Sequence, residues 1–301
     1  MKRFTIGAAV MLALVTGTTA YAGAQNDVPS CYEASKVGVP APAPRTELFI
    51  LVDQTTPFDA MLQGLANENA GRLIQPGSAY VVATFSSFGQ GRYMQVLSAG
   101  TLEQPIDESL RNSIGMKVLR TFDACMRDQL DYGRLKAATA LKTAFAGVSA
   151  ELAKSDILSA LKELSSRVRQ SGARDMIVFV LSDMLENSSI SSFYANHNVR
   201  AIDPSVEIKK VEAAQQFGDF GGARVFVLGA GLVQGDGSAR RDRGYIETPR
   251  PWPSCGRSGS FTLPVAMLSW WILARRHCCL LSAETAYRRK PFIHLLFHRH
   301  F

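Results

Sequence analysis

Two short apolar runs that each end on an aspartate are the clearest pattern in the chain. The first covers residues 48–53 and ends on Asp53, and the second covers residues 176–183 and ends on Asp183. A continuous apolar run of this length is typical of a strand buried on both faces, as in the middle of a parallel sheet. The two runs therefore predict two central strands that each carry an acidic group at the carboxyl end.

The remaining pattern alternates between helical and extended periods. It predicts further strands over residues 79–85, 93–97 and 223–228 and helices over residues 58–71, 135–152, 156–169 and 206–217. The helix at 156–169 has the clearest apolar face, formed by Ile157, Leu158, Leu161, Leu164 and Val168. Alternation with helical crossovers predicts an α/β fold with a doubly wound, mainly parallel sheet and helices on both faces.

The two aspartates are expected to meet at one edge of this sheet. Ligands of open α/β sheets bind beyond the carboxyl ends of the strands, which is where Asp53 and Asp183 stand. Thr55 and Thr56 follow Asp53 directly. Carboxylate and hydroxyl oxygens suit Mg²⁺ or another hard divalent cation. The alternative is that each aspartate only caps the next helix or starts a turn.

The order of these motifs resembles a von Willebrand factor type A domain. The resemblance covers roughly residues 46–232 and rests on the run Asp53 to Pro57, the helix after Ser155, the strand that ends at Asp183, and the last strand with its Gly-Ala-Gly. That family has a metal-ion-dependent adhesion site, built from an Asp-x-Ser/Thr-x-Ser run, a later threonine, and an aspartate after the fourth strand.

The resemblance implies a metal site that departs from the family pattern. Asp53 and Thr55 match the first two positions of the run, and Asp183 matches the later aspartate. Pro57 stands where the second serine belongs and offers no side-chain oxygen, so Thr56 is the candidate substitute ligand. The position of the family's later threonine is assigned to Ser155. The alternative role of Ser155 is an ordinary helix N-cap.

The amino-terminal residues predict export. Residues 1–22 have a basic start, an apolar stretch and the small-x-small site Ala20-Tyr21-Ala22, which is typical of a secretory signal peptide cleaved after Ala22. Cleavage after Ala24 and an uncleaved membrane anchor are the alternatives. Residues 23–45 form an arm that ends in a proline-rich linker, and residues 46–244 are long enough for one α/β domain. We therefore expect a periplasmic protein of a Gram-negative bacterium.

An oxidising compartment makes Cys31 and Cys125 candidates for a disulfide. They are the only cysteines before residue 245, so a single bridge would use both. The bridge would link the arm to the domain. It would raise the free energy of unfolding by about 4 kcal/mol, because it closes a loop in the unfolded chain. The alternative is two unpaired thiols.

Residues 245–301 differ in composition from everything before them. They hold all three tryptophans and four of the five histidines, with 8 of the 33 Lys and Arg but only 2 of the 26 Asp and Glu. The preceding residues thus carry a net charge of only +1. We interpret this basic tail as the product of a frameshift. The alternative is that the tail is a genuine membrane-binding segment. Membrane contact is expected only under this alternative.

Together these features predict an exported, non-catalytic binding module that engages a protein partner through a weak divalent-cation site. Nucleic acid is not expected, because the basic residues of the tail show no helical or strand spacing. One alternative is a metal-independent structural subunit of an envelope assembly. The other is a metal-assisted hydrolase, for which Glu186 and His197 are the candidate general bases.

Overall fold

The computed structural model describes residues 26–86, 94–149, 154–195 and 198–232. The predicted signal peptide at 1–22, the tail at 245–301 and His197 lie outside these residues. Within them, no helix is both long enough and apolar enough to span a bilayer.

The elements follow the predicted order. The strands are β1 (Thr46–Asp53), β2 (Ser78–Phe85), β3 (Met94–Thr101), β4 (Asp175–Leu181), β5 (Tyr194–Ala195), β6 (Asn198–Val199) and β7 (Arg224–Leu228). The helices are α1 (Cys31–Ala34), α2 (Ala60–Leu73), α3 (Glu108–Arg111), α4 (Met116–Ala146), α5 (Ile157–Gln170) and α6 (Pro204–Ala213). The predicted ends of α2, α5 and β7 therefore differ from the observed ones by one or two residues.

Five strands form one mixed sheet in the order β3-β2-β1-β4-β7. All neighbours are parallel except β2 and β3, which form an antiparallel pair at one edge. The predicted α/β fold with a mainly parallel sheet is confirmed at this level. The register places Val52 beside Leu181, so the residues that follow β1 and β4 emerge together at one rim of the sheet.

Alternate residues of β1 enter two different apolar cores. Leu48, Ile50 and Val52 pack in a core that includes residues of α2 and α4, whereas Phe49 and Leu51 pack in a core that includes residues of α5. The predicted apolar face of α5 is buried at every position, Ile157, Leu158, Leu161, Leu164 and Val168. A strand with six consecutive buried residues is what the continuous apolar run around Leu48 predicts.

Helix α4 is much longer than the predicted helix at residues 135–152. It starts at Met116 and ends at Ala146, and the backbone N–H of the C-cap residue Gly147 bonds the last carbonyls. Its buried positions are Leu119, Phe122, Gln129, Gly133, Ala137, Ala140, Leu141 and Ala144. Five of these eight positions are small or polar, so an apolar periodicity does not reveal the full length of this helix.

The amino-terminal arm is packed on the domain. The structure joins Cys31 to Cys125 in a disulfide, which links α1 to α4. Beside it, the Glu103 carboxylate accepts hydrogen bonds from the Ser30 hydroxyl (2.5 Å) and the Cys31 backbone N–H (2.7 Å). The aromatic rings of Tyr32 and Phe122 meet edge to face against this disulfide core. The arm thus has a polar anchor and a covalent one.

Removal of the Cys31–Cys125 disulfide should lower stability without changing the fold. We expect the Cys31→Ser, Cys125→Ser double variant to lose about 2–4 kcal/mol of unfolding free energy, because the unfolded chain regains the entropy of an open loop. Urea unfolding measures the loss, and peptide mapping of the unreduced parent should recover the linked pair. Equal stability of the variant and the parent would contradict the prediction.

Candidate functional site

The rim of the sheet brings two acidic loops together. Asp53 is the last residue of β1, and its neighbour Gln54 donates its backbone N–H to Phe85 O (2.9 Å) at the end of β2. On the other side, Ser182 and Asp183 directly follow β4, and Ser182 N donates to Leu228 O (3.1 Å) at the end of β7. Four strand ends therefore fix the positions of the two carboxylates.

The Asp53 carboxylate is fully buried and accepts four hydrogen bonds. One oxygen accepts from the backbone N–H (2.9 Å) and the hydroxyl (2.6 Å) of Thr55. The other oxygen accepts from the Ser182 hydroxyl (2.7 Å) and the Ser155 hydroxyl (3.2 Å). Burial raises the pKa of Asp53, and these four hydrogen bonds oppose that rise because they favour the ionised form.

Asp183 is held mainly through its backbone. Its N–H donates to the Thr56 hydroxyl (3.2 Å) and its carbonyl accepts from Gly231 N–H (2.8 Å). One carboxylate oxygen accepts from Leu185 N–H (2.8 Å). Burial, followed by the charge of Asp53, raises the pKa of Asp183 to about 7. At neutral pH the combined negative charge of Asp53 and Asp183 is therefore less than two.

Ser155 reaches Asp53 because the loop after β4 holds its backbone. The backbone groups of Ser155 and Asn187 exchange two hydrogen bonds, of 3.1 and 3.0 Å. The adjacent Glu186 is fully buried and accepts from Leu158 N–H (3.0 Å) in the first turn of α5. Burial raises the pKa of Glu186 to about 8, and its second oxygen has no hydrogen-bond partner among the described residues.

Tyr194 is a further member of the rim. It lies in the short hairpin formed by β5 and β6, next to the buried Phe193, whose N–H donates to Glu186 O (2.8 Å). Burial raises the pKa of the Tyr194 phenol, and the negative charges of Asp183 and Asp53 raise it further. The phenol is therefore close enough to both acids to respond to their charge.

The structure brings together all four residues of the predicted metal site, Asp53, Thr55, Ser155 and Asp183. Thr56 is also at this place, but its buried hydroxyl oxygen already accepts the Asp183 N–H. Pro57 is exposed and supplies no side-chain oxygen. Sequence reasoning did not assign roles to Ser182 and Tyr194. The position of Ser182, between an apolar run and an aspartate, was the available signal, whereas nothing local marks Tyr194.

The donor set suits a hard cation better than a nucleophilic reaction. The hydroxyls of Thr55, Ser155 and Ser182 donate their protons to Asp53, and the Ser182 oxygen also accepts from Met184 N–H (2.9 Å). The hydroxyl oxygens of Thr55 and Ser155 keep lone pairs with which to accept. These two oxygens and one carboxylate oxygen of Asp183 are ligands of the kind Mg²⁺ and Ca²⁺ take. Within the described part of the chain, no three His, Cys, Asp or Glu side chains cluster in a way that could hold a metal. A cation here would therefore depend on hydroxyl ligands.

The candidate general bases of the hydrolase alternative have different settings. Glu186 is fully buried and bonded to the first turn of α5, so it has no access to a substrate's proton in this arrangement. His197 lies outside the described residues.

Comparison with known proteins adds no assignment. No family model matches the chain. A search of curated proteins finds no related sequence. The interpretation of the rim therefore depends on its own geometry.

Glu186 should make stability depend on pH. Its pKa is near 4.5 when unfolded and about 8 when folded, so the folded state holds a proton that the unfolded state releases between these values. The stability that this proton supplies is present below pH 4.5 and is lost as pH rises through 8. Integration predicts a fall of about 3 kcal/mol in unfolding free energy between pH 5 and 8.

The Glu186→Gln variant tests this linkage. The amide keeps an oxygen for Leu158 N–H but does not titrate, so the pH-dependent loss should shrink by about the same 3 kcal/mol. Urea unfolding at several pH values measures it. Any slope that remains comes from the other acids with shifted pKa values, which include Asp53, Asp183 and Glu207. An unchanged slope in the variant would show that Glu186 is not the titrating group.

Proposed function

We propose that the chain is an exported, non-catalytic binding module of the von Willebrand factor type A kind, which engages a protein partner through a weak divalent-cation site. The observation that carries the proposal is the buried Asp53 carboxylate, which orients three hydroxyls beside Asp183 at one rim of the sheet. A site that only stabilised the fold would be expected to bury fewer acids that form no ion pair, because burial of carboxylates costs free energy.

The arrangement of the sheet supports this proposal. The two aspartates follow β1 and β4, the positions that the resemblance assigns to the metal site. Packing of α2 and α4 in one core and of α5 in the other is consistent with a doubly wound sheet. The antiparallel pair at the edge is compatible with such a sheet, since many doubly wound folds carry one antiparallel edge strand.

The residues that would hold the cation are Thr55, Ser155 and Asp183, with Asp53 behind them and Ser182 as an additional hydroxyl. When bound, the cation would supply a positive charge. A coordination position that the chain leaves open would accept a carboxylate or another oxygen of the partner. The chain's own contribution is orientation, because Asp53 accepts the hydroxyl protons and so turns the lone pairs of Thr55 and Ser155 away from its carboxylate.

Affinity for the cation should be low. Pro57 removes one ligand of the family pattern, and Thr56 has its oxygen engaged with Asp183 N–H. Asp183, with a pKa of about 7, must also lose its remaining proton before it binds a cation with full charge. The same features support a metal-independent structural role as the second candidate, in which the hydrogen bonds of Asp53 alone fix the rim.

Calorimetry with Mg²⁺ and Mn²⁺ distinguishes these two functions. We expect measurable binding to the parent at pH 8 and a loss of at least about tenfold in affinity in Asp53→Ala and Thr55→Val, since each removes an orienting group or a ligand. Asp107→Ala is the matched control, because Asp107 is an exposed helix cap at the amino end of α3. Absence of heat in the parent would leave the metal-independent role.

Capture of partners from envelope extracts tests the second half of the proposal. Partners held through the cation should be released by a chelator and should not bind the Thr55→Val variant. In both cases the cation that the partner's oxygen would bind is missing. Partners that survive both treatments would support the structural subunit instead. Thermal unfolding of the variant serves as the control for an intact fold.

A further inference from the structure

A cleft lies at the amino ends of the parallel strands, at the end of the sheet opposite to the acidic rim. Its volume is about 780 Å³. The first residues of β1, β2, β4 and β7 line it, and the linker, the end of α2 and the segment before α3 form its other walls. A cleft of this size is large enough for a small organic ligand.

The breaks in the described chain lie at the other end of the sheet. The chain breaks off after Ser86, which follows β2, and after Ser149, whose N–H donates to Gln54 O (3.2 Å) beside Asp53. It leaves the described fold at Leu232, beyond the carboxyl end of β7. The walls of the cleft are therefore built from segments that the structure describes without interruption.

Arg45 lies in the middle of this cleft, just before the central strand β1. Its backbone N–H donates to Gly77 O (2.8 Å) next to β2, and its carbonyl accepts from Asp175 N–H (2.9 Å) in β4. Its side chain is exposed, and the guanidinium has no hydrogen bond or ion pair with any described residue. An arginine with a fixed backbone and unused donors loses less entropy when it binds an anion.

The charges around Arg45 favour an anion with a single charge. Arg224 already donates to the Asp175 carboxylate (2.6 Å), and Arg72 forms an ion pair with Glu68 outside the lining. With Asp107 in the α3-side wall, the lining holds three arginines and two aspartates, which give it a formal charge of +1. One carboxylate balances this charge, whereas the aspartates would repel a phosphate dianion.

The walls around these charges are largely apolar. The lining includes the side chains of Pro42, Leu73, Pro76, Pro105 and Ile177. The wall formed by the linker is held in place by Gln104, whose side-chain amide donates to Ala43 O (2.6 Å). A ligand that matches this cleft therefore combines one carboxylate with an apolar body.

We propose that this cleft binds a small organic monocarboxylate and that Arg45 pairs with its carboxylate. The planar guanidinium can donate two parallel N–H bonds to the two carboxylate oxygens, a geometry that a lysine cannot reproduce. The apolar body of the ligand would lie against the proline and aliphatic walls. This site is separate from the acidic rim and does not depend on a cation there.

Fluorescence titration of the full chain with dansylglycine tests the proposal. This probe joins one carboxylate to an aromatic body, and we expect saturable binding of one molecule per chain. Dansylamide has the same aromatic body without the carboxylate and should bind at least about tenfold more weakly, because it cannot form the charged hydrogen bonds. Inorganic phosphate, at matched ionic strength, should not displace dansylglycine.

Substitution of Arg45 locates the binding site. Arg45→Gln should weaken dansylglycine binding by about tenfold or more, and Arg45→Lys should recover only part of the loss, because it restores the charge without the planar fork. Arg167→Gln is the matched control, since Arg167 is a half-exposed arginine on α5 outside the cleft, and it should bind like the parent.

Three outcomes would overturn the proposal. They are the absence of dansylglycine binding to the parent, equal affinity for the two dansyl probes, and full affinity in Arg45→Gln. Displacement of the probe by phosphate would overturn the choice of a monocarboxylate. Circular dichroism of each variant checks that the fold is retained, as expected because the bonds of Arg45 to its neighbours are made by its backbone.

Discussion

The buried Asp53 carboxylate organises the rim at the carboxyl ends of β1 and β4. Its four hydrogen bonds come from three segments that are far apart in the chain, represented by Thr55, Ser155 and Ser182. Burial of a carboxyl group costs free energy unless its oxygens are hydrogen-bonded, so these segments must meet when Asp53 is buried. The same bonds that offset this burial give the rim its shape.

Burial of several acids at one rim is costly, and the rest of the fold compensates for it. Asp183 and Glu186 both have raised pKa values because burial penalises their charged forms. Two extensive apolar cores on either side of β1 supply the stability that offsets this cost. The loop after β4 is also fixed by Glu207, a buried acid whose pKa is lowered by hydrogen bonds from Ser191, Arg200 and Lys210 despite its burial. Glu207 differs from Glu186 in that it accepts a hydrogen bond from the Ser191 hydroxyl and forms ion pairs with Arg200 and Lys210, which together outweigh its burial.

The sequence predicted the features that depend on local pattern and missed those that depend on long-range contacts. The apolar runs before Asp53 and Asp183 located the central strands, because burial on both faces requires continuous hydrophobicity. The first half of α4 was missed because it packs through residues such as Gln129 and Gly133. Ser182 and Tyr194 could not be assigned, since their roles arise only when the strand ends and the hairpin meet Asp53 and Asp183.

The two edges of the sheet differ in how the chain covers them: the arm packs beside β3, whereas β7 is the last described strand. Asn26 and Asp27 satisfy one edge with hydrogen bonds, and the Cys31–Cys125 disulfide fixes the segment that carries them. Since an open edge of a sheet is a template for association, a covalent anchor beside one edge protects that edge even when the arm's hydrogen bonds open transiently. The chain leaves the described fold at Leu232, just after β7, so protection of the other edge depends on whatever follows this point or on a second molecule.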